Sequence, residues 1–108
     1  MDERIELESH YSAESIDRYL ASVETELKYL PEEAEDWDPV NPTDSQDTYA
    51  SEWASVAYGD MGRLEEAKHA GMLNAAQSRR YAAIKELFKE RLPLIERYSL
   101  DVPSVPLD

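Results

Sequence analysis

Three stretches of this chain repeat apolar residues at every third or fourth position. Ile16, Tyr19, Leu20, Val23, Leu27 and Leu30 make the first stripe. Tyr49, Trp53, Val56, Ala57, Met61, Leu64 and Ala67 make the second, and Tyr81, Ile84, Leu87, Phe88, Ile95 and Tyr98 the third. A helix turns once per 3.6 residues, so each set falls on one face and needs another apolar face to cover it. The expected fold class is all-α: an N-terminal helix, an irregular acidic connection, a long antiparallel helical hairpin and an extended proline-containing tail.

Capping residues and breakers set the expected boundaries within a single domain, 1–108. Ser12 is a suitable N-cap and Pro31 a stop, predicting a helix over 12–30. Pro31, Pro39 and Pro42 with Asn41 and Asp44 predict a linker over 31–44. Thr43 followed by Gln46 reads as a capping box opening a helix over 45–70. Gly59 and Gly62 each cost about 1 kcal/mol relative to alanine in a helix, so one long helix bent there is expected, with a break at Tyr58–Gly62 as the alternative. Gly71 supplies a stop and Asn74 a new cap, giving a helix over 74–98 that Pro93 is expected to kink. Residues 99–108 form the tail, with Val102, Val105 and Leu107 able to lie along a groove. At the other end Ile5 extends the first stripe but also alternates with Leu7, so residues 1–11 read as a helical or irregular lead-in.

The charge is uneven. Net charge is −13, yet residues 72–98 hold six bases against three acids, while residues 1–71 hold 19 acids against five bases. Glu32 to Asp47 alone contains seven acids and no lysine or arginine. A chain this acidic repels nucleic acid, whose binding depends on many cations meeting phosphates, and Glu86 and Glu90 dilute the basic helix further. The lack of cysteine removes disulfides and thiol chemistry. With neither a secretory apolar segment nor a run of about 20 apolar residues, no membrane association is expected and the expected location is cytoplasmic.

Chemistry-bearing patterns are few. Glu66 and His69 form a Glu-x-x-His pair, whose two side chains project from one face of a helix, the spacing used in di-iron carboxylate bundles. The stretch LEEAKHAGML resembles the metal-binding helix of small encapsulated ferritins, which implies iron or another divalent cation held across a dimer. Both residues lie opposite the Tyr49–Trp53–Leu64 stripe, whereas a core site needs them facing inward. Arg63 and His69 also match the loose spacing of HEPN-type ribonucleases, although Leu64 stands where that family usually has a polar residue. Asp36, Asp38, Asn41, Asp44 and Asp47 could offer oxygens to calcium, but Asn41 and Asp47 occupy the positions where an EF-hand needs glycine and glutamate. His10 has no evident partner. No nucleophile or phosphate-binding motif is present, so catalysis has no positive support and no cofactor is expected.

The expected function is therefore a small acidic interaction module or regulator, of the inhibitor, antitoxin or immunity type. Trp37, flanked by Asp36 and Asp38, would offer an aromatic anchor to a basic protein partner. The width of the stripes predicts a homodimer. Charges on the stripes predict two contacts, Asp60 with Arg80, within the chain or across the dimer, and Arg91 beside the Trp53 ring. The alternative is a dimeric ferritin-like metal protein using Glu66 and His69.

Overall fold

The computed structural model describes residues 12–38, 40–41 and 43–107, so the reading of residues 1–11 lies outside the described residues. The fold is all-α. Helix α1 spans Ala13–Glu35. A second arm consists of α2 (Asp44–Ala54), a π-helical segment (Ser55–Asp60) and α3 (Met61–His69), which follow one another without a break. Helix α4 spans Ala75–Arg97.

The caps form as their chemistry requires. Ser12, Thr43 and Asn74 each accept a hydrogen bond from the backbone N–H three residues on, at 3.2, 3.1 and 2.8 Å. At Asn74 the box is complete, because its N–H donates to the Gln77 side chain at 3.0 Å. At Thr43 it is half made. The Gln46 side chain turns instead to Asp38, accepting from its N–H at 2.7 Å and donating to its carbonyl at 3.0 Å. Both glutamines are buried. Gln77 also donates to the Ala13 carbonyl and the Asp17 carboxylate, tying the start of α4 to the start of α1.

Pro31 does not end α1, which runs on to Glu35 and shortens the expected linker by five residues. A proline inside a helix forfeits one backbone bond and crowds the preceding turn. Here the last turn is held from outside: Leu30 is buried, and the Ala34 carbonyl accepts from the Tyr98 hydroxyl at 3.3 Å. Pro93 likewise sits inside α4.

The expected bend at Gly59–Gly62 is a π-helical segment placed slightly earlier. Trp53, Ala57 and Met61, all fully buried, follow one another at spacings of four. At about 100° per residue each such step drifts about 40° around an α-helix. A wider π turn holds an extra residue and keeps the three on one face. Neither glycine is demanded by space, since a methyl group added at Gly62 would meet nothing and one at Gly59 only the Arg63 guanidinium at 4.0 Å.

The three stripes meet in one core. Tyr49 and Trp53 lie beside each other, and Trp53 and Phe88 meet edge to face at 5.6 Å between centroids. Ile16, Leu20, Val23, Leu27 and Leu30 fill the α1 side. Contacts along the chain fix the directions. Glu65 meets Lys85 while Trp53 meets Phe88, so the second arm and α4 run antiparallel. Gln77 meets Ala13 while Tyr98 meets Ala34, so α4 runs parallel to α1. The stripes thus cover one another within one copy.

Two expected contacts are replaced. Arg80 bridges to Glu24 at 2.5 Å and Asp17 at 3.5 Å on α1, not to Asp60, which sits 3.7 Å from Arg63. The reason is topological: treating the hairpin as two helices omits α1, whose acidic edge lies along that side of α4. Trp53 is taken by Phe88 and Tyr49, and its N–H by the tail, so Arg91 finds no place over the ring; the Arg91 Nε is buried without a hydrogen-bond partner.

The tail folds back onto the body. Leu100 N–H bonds to the Ile95 carbonyl at 2.9 Å, with Ser99 in the left-handed region at φ 54°. The chain then returns to the level of Trp53, whose indole donates to the Asp101 carbonyl at 2.7 Å. Leu100 and Pro103 are buried and Val105 and Leu107 pack on the core, whereas Val102 is turned outward.

Candidate functional site

The helical faces of α1 and the second arm that point away from α4 leave an open groove. Helix α1 supplies Ala21, Ser22, Thr25, Glu26, Tyr29 and Glu33, and the second arm supplies Asp44, Thr48, Tyr49, Glu52, Ser55 and Asp60. Three adjoining hollows make it up, of about 440, 340 and 330 Å³. Residues 44 to 60 of the second arm span about 24 Å at 1.5 Å per residue. That length suits several turns of a helix or a short extended segment.

Five carboxylates line this groove and, among the described residues, no lysine or arginine does. Among the described residues, Glu26, Glu33, Asp44 and Glu52 have no ion-pair partner, and Asp60 has only Arg63 at the groove's end. The carboxylates strain against one another. Burial, followed by repulsion from Glu52 and Glu33, raises the Glu26 pKa above its ordinary 4.5. One Glu26 oxygen is sealed from water without a hydrogen-bond partner. Burial also raises Asp60, although Arg63 opposes it. Tyr49, which donates its hydroxyl proton to the Glu26 carbonyl at 2.9 Å, is raised by burial and by the nearby Glu26, Glu33 and Glu52 charges. A carboxylate that is partly desolvated and lacks a cation is stabilised by any cation brought to it.

The residues singled out by sequence fall elsewhere. Asp36 is the exposed C-terminal cap of α1. Trp37 is half-buried with its ring 5.4 Å from that of Tyr98, so it anchors the loop to the body. Asp38 is spent on the loop itself: its carboxylate accepts from the N–H groups of Val40 and Asn41 at 3.0 and 3.1 Å. Glu66 is exposed on the outer face of α3. His69 is 74% exposed and lies 3.3 Å from Glu65, not from Glu66. Among the described residues no three histidine, aspartate or glutamate side chains converge as a metal ligand set. Arg63 lies over the Tyr19 ring at 5.5 Å.

Sequence reasoning missed the carboxylate next door. Glu65 faces inward and receives the Tyr81 hydroxyl, while the Lys85 ammonium sits at 2.9 Å with only 5% of its side chain exposed. The Lys85 ammonium also lies 4.7 Å from the Tyr81 ring centroid. Burial pushes the Glu65 pKa up, but the bonds from Tyr81 and Lys85 and the Lys85 charge outweigh it and the net shift is downward. Lys85 follows Tyr81 by four and precedes Phe88 by three, a position on the stripe that signals a buried ammonium in need of an acid. For the groove the signal was Glu26 and Glu33, seven residues apart and thus on one helical face.

No family model matches the chain, and no curated protein or solved structure does. The reading of function therefore stands on the geometry above.

Proposed function

We propose that the protein is a small non-catalytic interaction module whose acidic groove between α1 and the second arm receives a basic segment of another protein. Inhibitors, antitoxins and immunity proteins that shield basic surfaces work in this way. The observation that carries the reading is the row of Glu26, Glu33, Asp44 and Glu52 without an ion-pair partner among the described residues, in a groove where burial and the neighbouring charges already disfavour the charge on Glu26. This moves the binding face from Asp36–Trp37–Asp38, where the aromatic ring is committed to Tyr98, to the neighbouring helical surface. A cytoplasmic location and a two-copy state belong to the same proposal.

The test uses a synthetic lysine-rich amphipathic helix and its glutamine counterpart. The lysine peptide is expected to bind, with affinity falling as salt rises. The triple variant Glu26→Gln/Glu33→Gln/Glu52→Gln is expected to weaken binding about tenfold, since each partly exposed pair contributes up to about 1 kcal/mol. Glu86→Gln/Glu90→Gln/Glu96→Gln on α4 changes net charge equally and is expected to leave binding almost unaltered. Equal losses from both triples would reduce the effect to bulk charge and defeat the groove. Because Glu26 and Asp60 titrate above their ordinary values, calorimetry at mildly acidic pH should also detect protons released as the cations dock.

The same shifts predict a stability change. A carboxyl group with a raised folded pKa opposes folding as pH rises from its ordinary value through the raised one. Glu26→Gln should therefore raise the melting temperature at neutral pH, with the gain fading below pH 4.5, its ordinary value. Unchanged melting at both pH values would show that Glu26 is not strained.

A further inference from the structure

The tail is attached to the body as a ligand would be. It adds no helix, and beyond the backbone bonds of Ser99 and Leu100 to the end of α4 its polar contacts among the described residues are the Trp53 indole on the Asp101 carbonyl and the Tyr58 hydroxyl with the Asp101 carboxylate. The rest of its hold is apolar: Leu100 and Pro103 are buried, and Val105 and Leu107 pack against the core. A seat formed by side chains of the body accepts the same segment whichever copy it comes from. The tail is directed onto its own copy by a turn at Ser99, held at φ 54° and closed by the Ser99 and Leu100 N–H groups on the Glu96 and Ile95 carbonyls at 3.2 and 2.9 Å. Residues with a Cβ adopt that conformation at a cost, and β-branched residues almost never do.

From these observations we propose that the tail's seat is a peptide-binding site and that its occupant in trans is the tail of a second copy. If Ser99 swings from the left-handed to the extended region, residues 100–107 leave their own body unchanged in conformation. Two such tails then fill each other's seats, and every contact of the tail beyond that turn is remade across a twofold axis. Exchange of an identical element makes a dimer with few new contacts and with the hinge strain removed twice. This deepens the two-copy reading, and it supplies a dimer even though the helical stripes cover one another within one copy. The acidic groove takes no part in it.

Opposite substitutions at the hinge test the idea in the full-length chain. Glycine tolerates positive φ, so Ser99→Gly should favour the closed single copy and weaken dimerisation by about tenfold or more. Ser99→Val should strengthen dimerisation by a similar factor, because a β-branched residue disfavours the closed turn. Sedimentation from micromolar to millimolar concentration reads both. The chain has no cysteine, so a Tyr58→Cys copy can be mixed with an Asp101→Cys copy and joined by a short bis-maleimide. Cross-linked pairs that increase with Ser99→Val and decrease with Ser99→Gly support exchange. A dimer whose strength ignores both hinge variants overturns tail exchange and leaves the two-copy reading intact. A monomer at every concentration, for all three chains, overturns both and leaves peptide binding by the groove untouched.

Discussion

Trp53→Ala is expected to remove about 3–5 kcal/mol of stability, the range for deleting a fully buried large aromatic side chain. Trp53 is fully buried, touches Phe88 and Tyr49, and holds the tail through its indole N–H. The alanine variant therefore opens a cavity and orphans the Asp101 carbonyl together. Trp53→Phe separates the two effects, keeping a ring while deleting the donor. It should cost less, about 1–2 kcal/mol for the lost hydrogen bond together with the volume lost. The urea midpoint measures both losses, and cleavage of the C-terminal residues by carboxypeptidase measures the tail. Accelerated cleavage in Trp53→Phe is the expected result. Cleavage at the wild-type rate would mean that the apolar anchors alone retain the tail.

The second large effect lies at the other end of the bundle. Glu65→Gln should cost about 3–5 kcal/mol, because it leaves the Lys85 ammonium buried without its counter-ion. Lys85→Met should cost much less, since Glu65 keeps the Tyr81 hydroxyl and the neighbouring His69. The double variant should recover most of the loss of Glu65→Gln, to within about 1 kcal/mol of Lys85→Met. Additive losses would show that the pair is not coupled. The pH dependence has a definite sign. The folded pKa of Glu65 lies below the ordinary 4.5, so its contribution is present above pH 4.5 and is lost as pH falls through the folded value. The Glu65→Gln variant should therefore be less stable than wild type at neutral pH and converge with it in acid. Glu26→Gln instead starts more stable at neutral pH and loses that advantage in acid.

These two sites also show where the sequence was readable. The stripes, the caps at Ser12, Thr43 and Asn74, and the all-α class follow from local periodicity and side-chain chemistry, which need no tertiary information. The continuation of α1 through Pro31 does not, because what holds the last turn is Tyr98, more than sixty residues away. The pairing of Arg80 failed for a similar reason: spacing on two helices says nothing of a third that brings Glu24 and Asp17 closer. Glu66 and His69 were chosen for their motif, whereas the buried carboxylate was the adjacent Glu65. A one-residue step around a helix, about 100°, separates solvent from core. The groove was hidden because it belongs to two segments at once, and only their packing brings Glu26 beside Glu52.

The π-helical segment at Ser55–Asp60 bears on how the length of this chain can change. With the present eight-residue interval, Trp53 and Met61 share a face only because the turn between them is wide. Remove one residue there and the interval becomes seven, close to two turns of an ordinary α-helix. The flanking stripes would then stay in phase, whereas a one-residue deletion elsewhere in the arm would rotate everything beyond it by about 100°. A residue can thus be removed at this point while the core on either side remains assembled. Length variants should collect between Ser55 and Asp60, and a chain lacking Tyr58 should fold with a regular helix in place of the π turn.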